Sequence, residues 1–410
     1  MPDNVVNLCS RHGTFNPKGE LMKTRTRLVR SCAAVLALGL VAAACGGDDD
    51  SADEPADEPA AESTEEPAAE PAAESTEEPA AEPAVGDDVG VSLILKNTSN
   101  PFFVSMADSA QAEADAIGVS LTVAAGQEDG DTQSQIEAIE AAVARGDAGI
   151  LITPSGDAVV PALDAAREAG LYTIALDTPP NPATAVDITF ATDNYLAGQL
   201  IGQWAAGTLA GEKATIAMLD LFNDQVVSVD YFRDQGFLNG MGIIDEVDTS
   251  GNGNEPPTGD YSGGEYEVVC HEPTNGAVDG GRTAMETCLA ANPDINVVYT
   301  INEPAAQGAF DALTAAGSAD GVIIVSVDGG CDPGLRLVSE GVIGATSQQY
   351  PGRMATLGME AIAAFATGGE APSVTEGLDF FNTGVALVTD NPVDGVESIS
   401  VEEGNAICWG

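Results

Sequence analysis

Val91-Ser-Leu-Ile-Leu95 is a continuous apolar run, and Ser99-Asn100-Pro101-Phe102-Phe103 follows it after a short polar step. A run of this length reads as a buried strand, because parallel strands covered on both faces are apolar along their whole length. Pro101 behind an Asn reads as the first turn of a helix with Asn100 as its cap. A strand feeding a helix is the unit of an α/β fold, and the C-terminal mouth of such a strand is where open sheets bind ligands. Asn100, Phe102 and Phe103 therefore have two readings. They are a cap and two core rings, or an amide and two rings turned to a ligand, in which case the rings suit the C–H face of a sugar.

The same rhythm continues outward to the C-terminus. Strands are expected at 90–95, 119–124, 148–152, 172–176, 213–219, 266–270, 296–300, 321–327 and 342–347. Helices are expected at 101–117, 131–144, 157–169, 194–209, 226–239, 279–291, 304–316, 332–340 and 351–367. Such alternation builds parallel sheets with right-handed crossovers and helices on both faces. The strands are too many for one small sheet, and the rhythm restarts near 190–193, so two similar lobes are expected with a cleft between their strand ends.

The residues before this region carry different signals. Lys23, Arg25, Arg27 and Arg30 precede an apolar run at 33–44 that ends in small residues before Cys45. This is the pattern of a secretory signal, and LVAAAC over 40–45 resembles a bacterial lipobox, so cleavage before Cys45 and lipidation of that cysteine are expected. Residues 1–21 lack signal character, which makes Met22 a candidate start. About 14 apolar or small residues fall short of the roughly 20 needed to span a bilayer. Residues 45–88 then read as a disordered acidic tether, with AESTEEPAAEPA repeated identically at 61–72 and 73–84. Each copy lacks a hydrophobic face to bury and is rich in charge and proline.

The chain holds 14 basic and 65 acidic residues, and only eight basic residues follow Cys45, two of them lysines, Lys96 and Lys213. That balance argues against nucleic acid or an anionic lipid surface as partner and leaves the lipid as the expected membrane contact. It also suggests adaptation to a saline exterior, so the melting temperature is expected to rise with added salt as self-repulsion is screened. Beyond Cys9, Cys32 and Cys45, four cysteines remain in an exported domain, which suggests two disulfides among three possible connectivities. Cys270–Cys288, closing a short loop, and Cys331–Cys408, stapling the tail, are the favoured pairs. No CxxC spacing supports zinc at these cysteines.

Polar residues at the expected strand ends form the candidate site: Asn100, Phe102, Phe103, Thr153, Asp177, Asn302, Glu303, Asp328, Gln348 and Gln349. Any one of them could instead cap a helix or satisfy loop backbone. Their recurrence in both lobes favours a ligand whose hydroxyls both donate and accept, with carboxylates taking protons and amides donating them. Enzyme signatures are weak. His12 lies in the discarded region and His271 beside an expected disulfide, so no Ser-His-Asp arrangement is assembled, and no Walker glycine loop is present. Glu303 with Asp328 could be imagined as a glycosidase pair, but a cleft closed on one ring leaves no exit for a leaving group. The acidic insert 245–260 lacks the terminal Glu of a calcium loop, and neither metal nor cofactor is assigned. Trp204 and Trp409 lie away from the expected strand ends and read as structural.

Residues 90–390 resemble the type I periplasmic sugar-binding proteins of ABC importers, in the ribose and fructose cluster. The motifs are SNPFFVSM at 99–106, GILITPSGDAVVPAL at 149–163, TIALDTP at 173–179, TINEPAAQGAF at 300–310, VSVDGG at 325–330 and GATSQQYP at 344–351. With FATDN, RDQGF and the terminal CWG, the set is especially similar to fructose-binding members. The resemblance implies a ligand set of Asn100, Phe102, Phe103, Asp177, Arg233, Asn302, Asp328 and Gln349, and Arg233 enters only through it, as the Arg of an Arg-Gly-x-Gly-Phe pattern. Two departures stand out. Thr178 occupies the place of an Arg in the ribose binders and is itself a candidate contact, and a stacking Phe of the second lobe falls near Gly276.

The resemblance also implies three crossovers at a hinge. The N-terminal lobe would comprise 89–192 and 350–381, and the C-terminal lobe 193–349 and 382–410. A monomer is implied that captures a monosaccharide, with fructose as the expected ligand and ribose or another pentose or hexose as the alternative, and closes on it for the permease and ATPase subunits of an importer, or alternatively for a chemosensory partner. The lactose-repressor type of regulator shares this core, but it needs a helix-turn-helix where this chain has a signal and a polyanionic tether.

Overall fold

The structure, a computed structural model, describes residues 89–410. The expected signal, Met22, Cys45 and the acidic tether lie outside the described residues.

The chain opens with β1 (Gly90–Leu95), α1 (Pro101–Ile117), β2 (Ser120–Ala125), α2 (Thr132–Arg145), β3 (Gly149–Ile152), α3 (Val160–Glu168), β4 (Tyr172–Leu176) and β5 (Ile188–Ala191). It continues through α4 (Asn194–Leu209), β6 (Ala214–Asp220), α5 (Ser228–Met241), β7 (Thr258–Asp260), β8 (Glu265–Pro273), α6 (Val278–Ala291), β9 (Val297–Thr300) and α7 (Glu303–Ala316). The remainder is β10 (Ile323–Asp328), α8 (Arg336–Ser339), β11 (Ala345–Gln348), α9 (Pro351–Ala366), β12 (Phe381–Asn382), β13 (Ala386–Val388) and α10 (Val401–Gly404).

Two sheets result, in the orders β12-β5-β4-β3-β1-β2 and β13-β11-β10-β9-β6-β8-β7. All pairings in the first are parallel, and in the second only β13 and β7 run antiparallel to their neighbours. The central strands β3, β4, β6 and β9 are buried at every residue, as continuous apolar runs require, whereas edge strand β2 is largely open. The chain passes between the sheets after β5, after β11 and after β12. α9 returns to pack against α1 and the first sheet.

The structure corrects several expectations. β5, β7, β12 and β13 are strands that the pattern did not single out, and the last three, of two or three residues each, are too short to show a period. The helix expected at 332–340 is broken. Asp332 is extended (φ −134°, ψ 127°) beside the bridged Cys331, and regular helix resumes only at α8. Strand 342–347 begins three residues late, because Gly341 turns with φ 73°.

Cys270–Cys288 and Cys331–Cys408 are both bonded, with Cα atoms 5.7 and 5.1 Å apart. Closing loops of 18 and 77 residues restricts the unfolded chain by about 3 and about 4.5 kcal/mol in the loop-entropy account. Among the described residues no helix is long and apolar enough to cross a membrane.

Candidate functional site

The first strand delivers its residues as the sequence suggested. The Asn100 carbonyl side chain accepts from the Phe102 backbone N–H at 2.9 Å, which starts α1 and turns both rings inward. Phe102 and Phe103 meet edge to face at 5.3 Å, each under 5 % exposed. Asn302 repeats the device in the second lobe, accepting from Ala305 N–H at 3.1 Å at the start of α7 while donating to Gly276 C=O at 3.0 Å. The capping role is thus real for both amides, yet each keeps an N–H for a ligand.

These residues line a small cavity between the lobes. Lys96, Asn100, Phe102, Phe103, Asp129 and Asp177 face it from the first lobe; Leu221, Val229, Arg233, Ile301, Asn302 and Asp328 face it from the second. Its volume of about 30 Å³ holds a water or two, so a sugar ring enters only if the lobes part. Asp177 directly follows β4 and Asp328 ends β10, with φ of 65° and 134°, among four non-glycine residues with positive φ in the described chain. Strain of this kind, of order 1–3 kcal/mol, persists where surrounding structure holds it, and it concentrates at ligand clamps.

Arg233 joins the lobes electrostatically. Its Nε donates to Asn194 Oδ1 at 2.7 Å and Nη1 donates to the Ile301 carbonyl at 2.8 Å. The same guanidinium lies 3.8 Å from Asp177 and 3.6 Å from Asp328. The position depends on α4 and α5 lying almost in backbone contact. Gly198 and Gly236 face each other's helix so closely that a Cβ on either would strike backbone, so the RDQGF glycine is a packing requirement. Gln349 donates to Asp328 Oδ1 at 2.7 Å from the second crossover. Burial raises the Asp328 pKa to about 7; Arg233 opposes the rise and Asp177 adds to it.

Four sequence candidates are committed elsewhere. Thr153 Oγ1 accepts from Lys96 N–H at 2.9 Å, tying β1 to the end of β3. Thr178 donates to Asp177 Oδ2 at 2.7 Å and reaches the cavity only through that carboxylate. Glu303 accepts from the Gly329 and Gly330 amides and from Thr346 Oγ1, which makes it the brace of the β10 turn. Its pKa is pushed up to about 8 by burial, with Asp328 adding to the effect. Gln348 donates to the Gln349 carbonyl and lies under Gly329.

Two charged lining residues escaped the sequence reading, besides the apolar Leu221, Val229 and Ile301. Lys96 follows β1 directly and lies 3.6 Å from Asp177 and 5.8 Å over the Phe103 ring. Its rarity in so acidic a chain was the available signal. Asp129 sits in the loop after β2, accepts from Asn97 Nδ2, and is held above the ordinary carboxylate range by burial. Nothing distinguished it from Glu128 or Asp131 beside it. Trp409, read as structural, packs edge to face on Phe102 at 5.3 Å and donates to the Gln349 carbonyl at 3.0 Å, so the C-terminal tail buttresses a residue of the site. Gly276 lies next to the cavity residues Asn302, Leu221 and Asp129, so the position where the resemblance implied a ring carries no side chain.

Comparison with known proteins places this architecture. Residues 91–370 match the family model described as periplasmic binding protein domain. The ribose import binding protein of Salmonella typhimurium is 30 % identical over 273 residues, covering 66 % of this chain and 82 % of the relative. The D-apiose import binding protein of Actinobacillus succinogenes is 32 % identical over 261 residues, 63 % of this chain and 76 % of the relative. Among solved structures, an ABC transporter periplasmic solute binding protein from Actinobacillus succinogenes with bound D-allose superposes with TM-score 0.63 at 21 % identity, covering 78 % of this chain and 99 % of that one.

The chain belongs to the periplasmic binding protein domain family, in its sugar-binding branch serving ABC transporters. It has the type I fold and is a binding protein, not an enzyme. The family works outside the cytoplasmic membrane, in agreement with an exported chain.

Proposed function

We propose that this protein captures a single monosaccharide, with fructose as the preferred ligand, and delivers it to the permease and ATPase of an ABC importer. The observation that carries the reading is Arg233, placed between a carboxylate of each lobe at 3.8 and 3.6 Å. A ring bound there touches both lobes, and only such a ligand can shift a hinge toward closure. Phe102 and Phe103 would cover its apolar face, with Asn100, Asp177, Arg233, Asn302, Asp328 and Gln349 hydrogen-bonding its hydroxyls. We add Lys96 and Asp129 to this set and remove Thr153, Glu303 and Gln348, each of which bonds backbone instead and does not line the cavity.

Support for fructose over ribose comes from the changed donors and walls. Thr178 stands where the ribose pattern has Arg, and a cation reaches Asp177 instead from just beyond β1, as Lys96. Gly276 carries no side chain where the ribose pattern has a ring, so the far side of the cavity presents a different surface. Ribose or another pentose is the second reading, favoured by the names of the relatives at 30 % identity. Mass spectrometry of sugar retained on the purified protein, followed by calorimetry across a monosaccharide panel, decides. A retained pentose overturns the fructose preference, and no binding tighter than millimolar by folded protein overturns the receptor. Genome neighbours encoding a permease and an ATPase would support import, and their absence would favour a chemosensory partner.

We further propose that the mature protein is a monomer, lipidated at Cys45 and tethered to the outer face of the membrane by residues 45–88. Cys45→Ala is expected to abolish labelling by radioactive fatty acid and release the protein from membranes. Labelling that persists in the variant would refute the anchor.

A further inference from the structure

A second cluster of ionisable side chains lies in the C-terminal lobe, apart from the sugar cavity. β6 ends at Asp220, β8 carries His271 two residues before its end, and α5 presents Asp230 and Asp234 on one face, one turn apart. The insert after α5 folds over them and contributes Asn252 and Glu255. His271 Nδ1 is 2.8 Å from Asp220 Oδ2 and 3.9 Å from Asp234 Oδ2, and Nε2 is 2.7 Å from Glu255 Oε1.

Two observations point to a ligand. Asp234 is 0 % exposed, yet neither of its carboxylate oxygens accepts a hydrogen bond, and Asp220 Oδ1 and Asn252 Oδ1 are likewise unpartnered. The charge is also unbalanced. Three carboxylates face one imidazole, with Asp230 beside them, and among the described residues no Lys or Arg forms an ion pair with any of the four. Arg233 lies next in sequence to Asp234 but is turned to Asn194, Ile301 and the sugar cavity. Uncompensated carboxylates are not buried without a counter-charge or protons. Asp230 is committed to the Leu221 and Phe222 amides and adds charge without a free oxygen pointing to the imidazole.

We propose that this cluster binds one divalent first-row transition-metal ion of the zinc type. The ligands are His271 Nδ1 and one oxygen each of Asp220 and Asp234, atoms that lie within 4.8 Å of one another, with water completing the shell. Glu255 then plays the orienting part common to metal-bound histidines, accepting the Nε2 proton and leaving Nδ1 for the metal. A ring nitrogen among carboxylates favours zinc over calcium or magnesium, which take all-oxygen shells. The cleft lined by Asp220, Phe222, Asn252 and His271, about 360 Å³ in volume, supplies water and an entry path. The ion would pin the insert's Glu255 to the ends of β6 and β8. This departs from the expectation of no metal, because His271 and the aspartates are 37 to 51 residues apart in sequence and form no spaced motif.

The test is calorimetry of the EDTA-stripped full chain with Zn²⁺ in excess Mg²⁺, run in buffers of different ionisation enthalpy. Expected are one equivalent bound at micromolar affinity or tighter, release of about one proton, and X-ray absorption showing nitrogen and oxygen but no sulfur ligands. Asp234→Asn and His271→Gln, each checked for native circular dichroism, should weaken binding at least 100-fold. Glu255→Gln should weaken it about 10- to 100-fold. Several weak sites unchanged in folded Asp234→Asn, or no binding by folded wild type, would overturn the proposal and leave protonated His271 as the cluster's counter-ion. Sugar affinity of the stripped protein, measured alongside, keeps this test independent of the receptor reading.

Discussion

Two clusters of buried carboxylates sit at strand ends of this protein, and they are balanced differently. In the interlobe cavity Asp129, Asp177 and Asp328 face Lys96 and Arg233, and the cations come from both lobes. In the C-terminal lobe Asp220, Asp234 and Glu255 face His271 alone, with Asp230 adding charge nearby, and every member belongs to that lobe. The first arrangement makes charge pairing depend on the lobes being together, so it can report closure. The second is indifferent to closure and makes the lobe's own stability depend on one titratable ring. Buried ion pairs contribute little net stability, but removing one partner is costly, so each cluster should respond to loss of its cation in its own way.

The largest effect is expected from Arg233→Ala, which leaves Asp177 and Asp328 facing each other across the cavity. Sugar affinity should fall about 100-fold or more by calorimetry, in the range for truncating a buried, hydrogen-bonded charge. A loss under tenfold would mean that closure does not depend on this pairing. His271→Gln should do the reverse. In metal-free protein it should cost about 3 kcal/mol of stability in urea denaturation while sugar affinity stays within about threefold. Equal losses in both measurements would merge the two clusters into one.

Phe103→Leu sharpens the comparison at the apolar side of the cavity. Phe103 belongs both to the first lobe's core and to the cavity wall, so truncation to Ala would confound the two. Keeping the volume should hold the stability change below about 1.5 kcal/mol while affinity falls about tenfold through the lost ring face. Equal free-energy changes would return the ring to a packing role.

The smallest effect is on pH. Asp328 and Glu303 are raised to about 7 and about 8 in the folded state, above their ordinary values of 3.8 and 4.5. The native protein therefore holds more protons than the unfolded chain between those limits. The stability these groups contribute is present below about pH 4 and is lost as pH rises through 7 to 8. The urea midpoint should be lower at pH 8.5 than at pH 5, and a midpoint that rises would show these carboxyls to be ionised well below neutrality.

Much of this molecule was legible from residue order. Apolar runs such as Val91-Ser-Leu-Ile-Leu95 and the Asn100 and Asn302 caps are local features, and local sterics and hydrogen bonding fix them wherever the chain goes. The strand-end positions of Asp177 and Asp328 followed from that register, as did the four cysteines available for pairing. What only the tertiary structure decided is which polar atoms remain free after folding. Thr153 and Glu303 end in the same strand-end setting as Asp177 and Asp328, yet nearby backbone amides take up their oxygens. Lys96 and Asp129 become cavity residues because β1 lies beside β2 and the second lobe comes down on both. His271 meets Asp220, Asp234 and Glu255 because strand pairing, a helix face and an insert converge, a coincidence of long-range packing that no short spacing encodes. Sequence thus specified the elements and their polar ends, since those depend on neighbours along the chain; the charge balance at each site depends on neighbours in space, and only the fold supplied them.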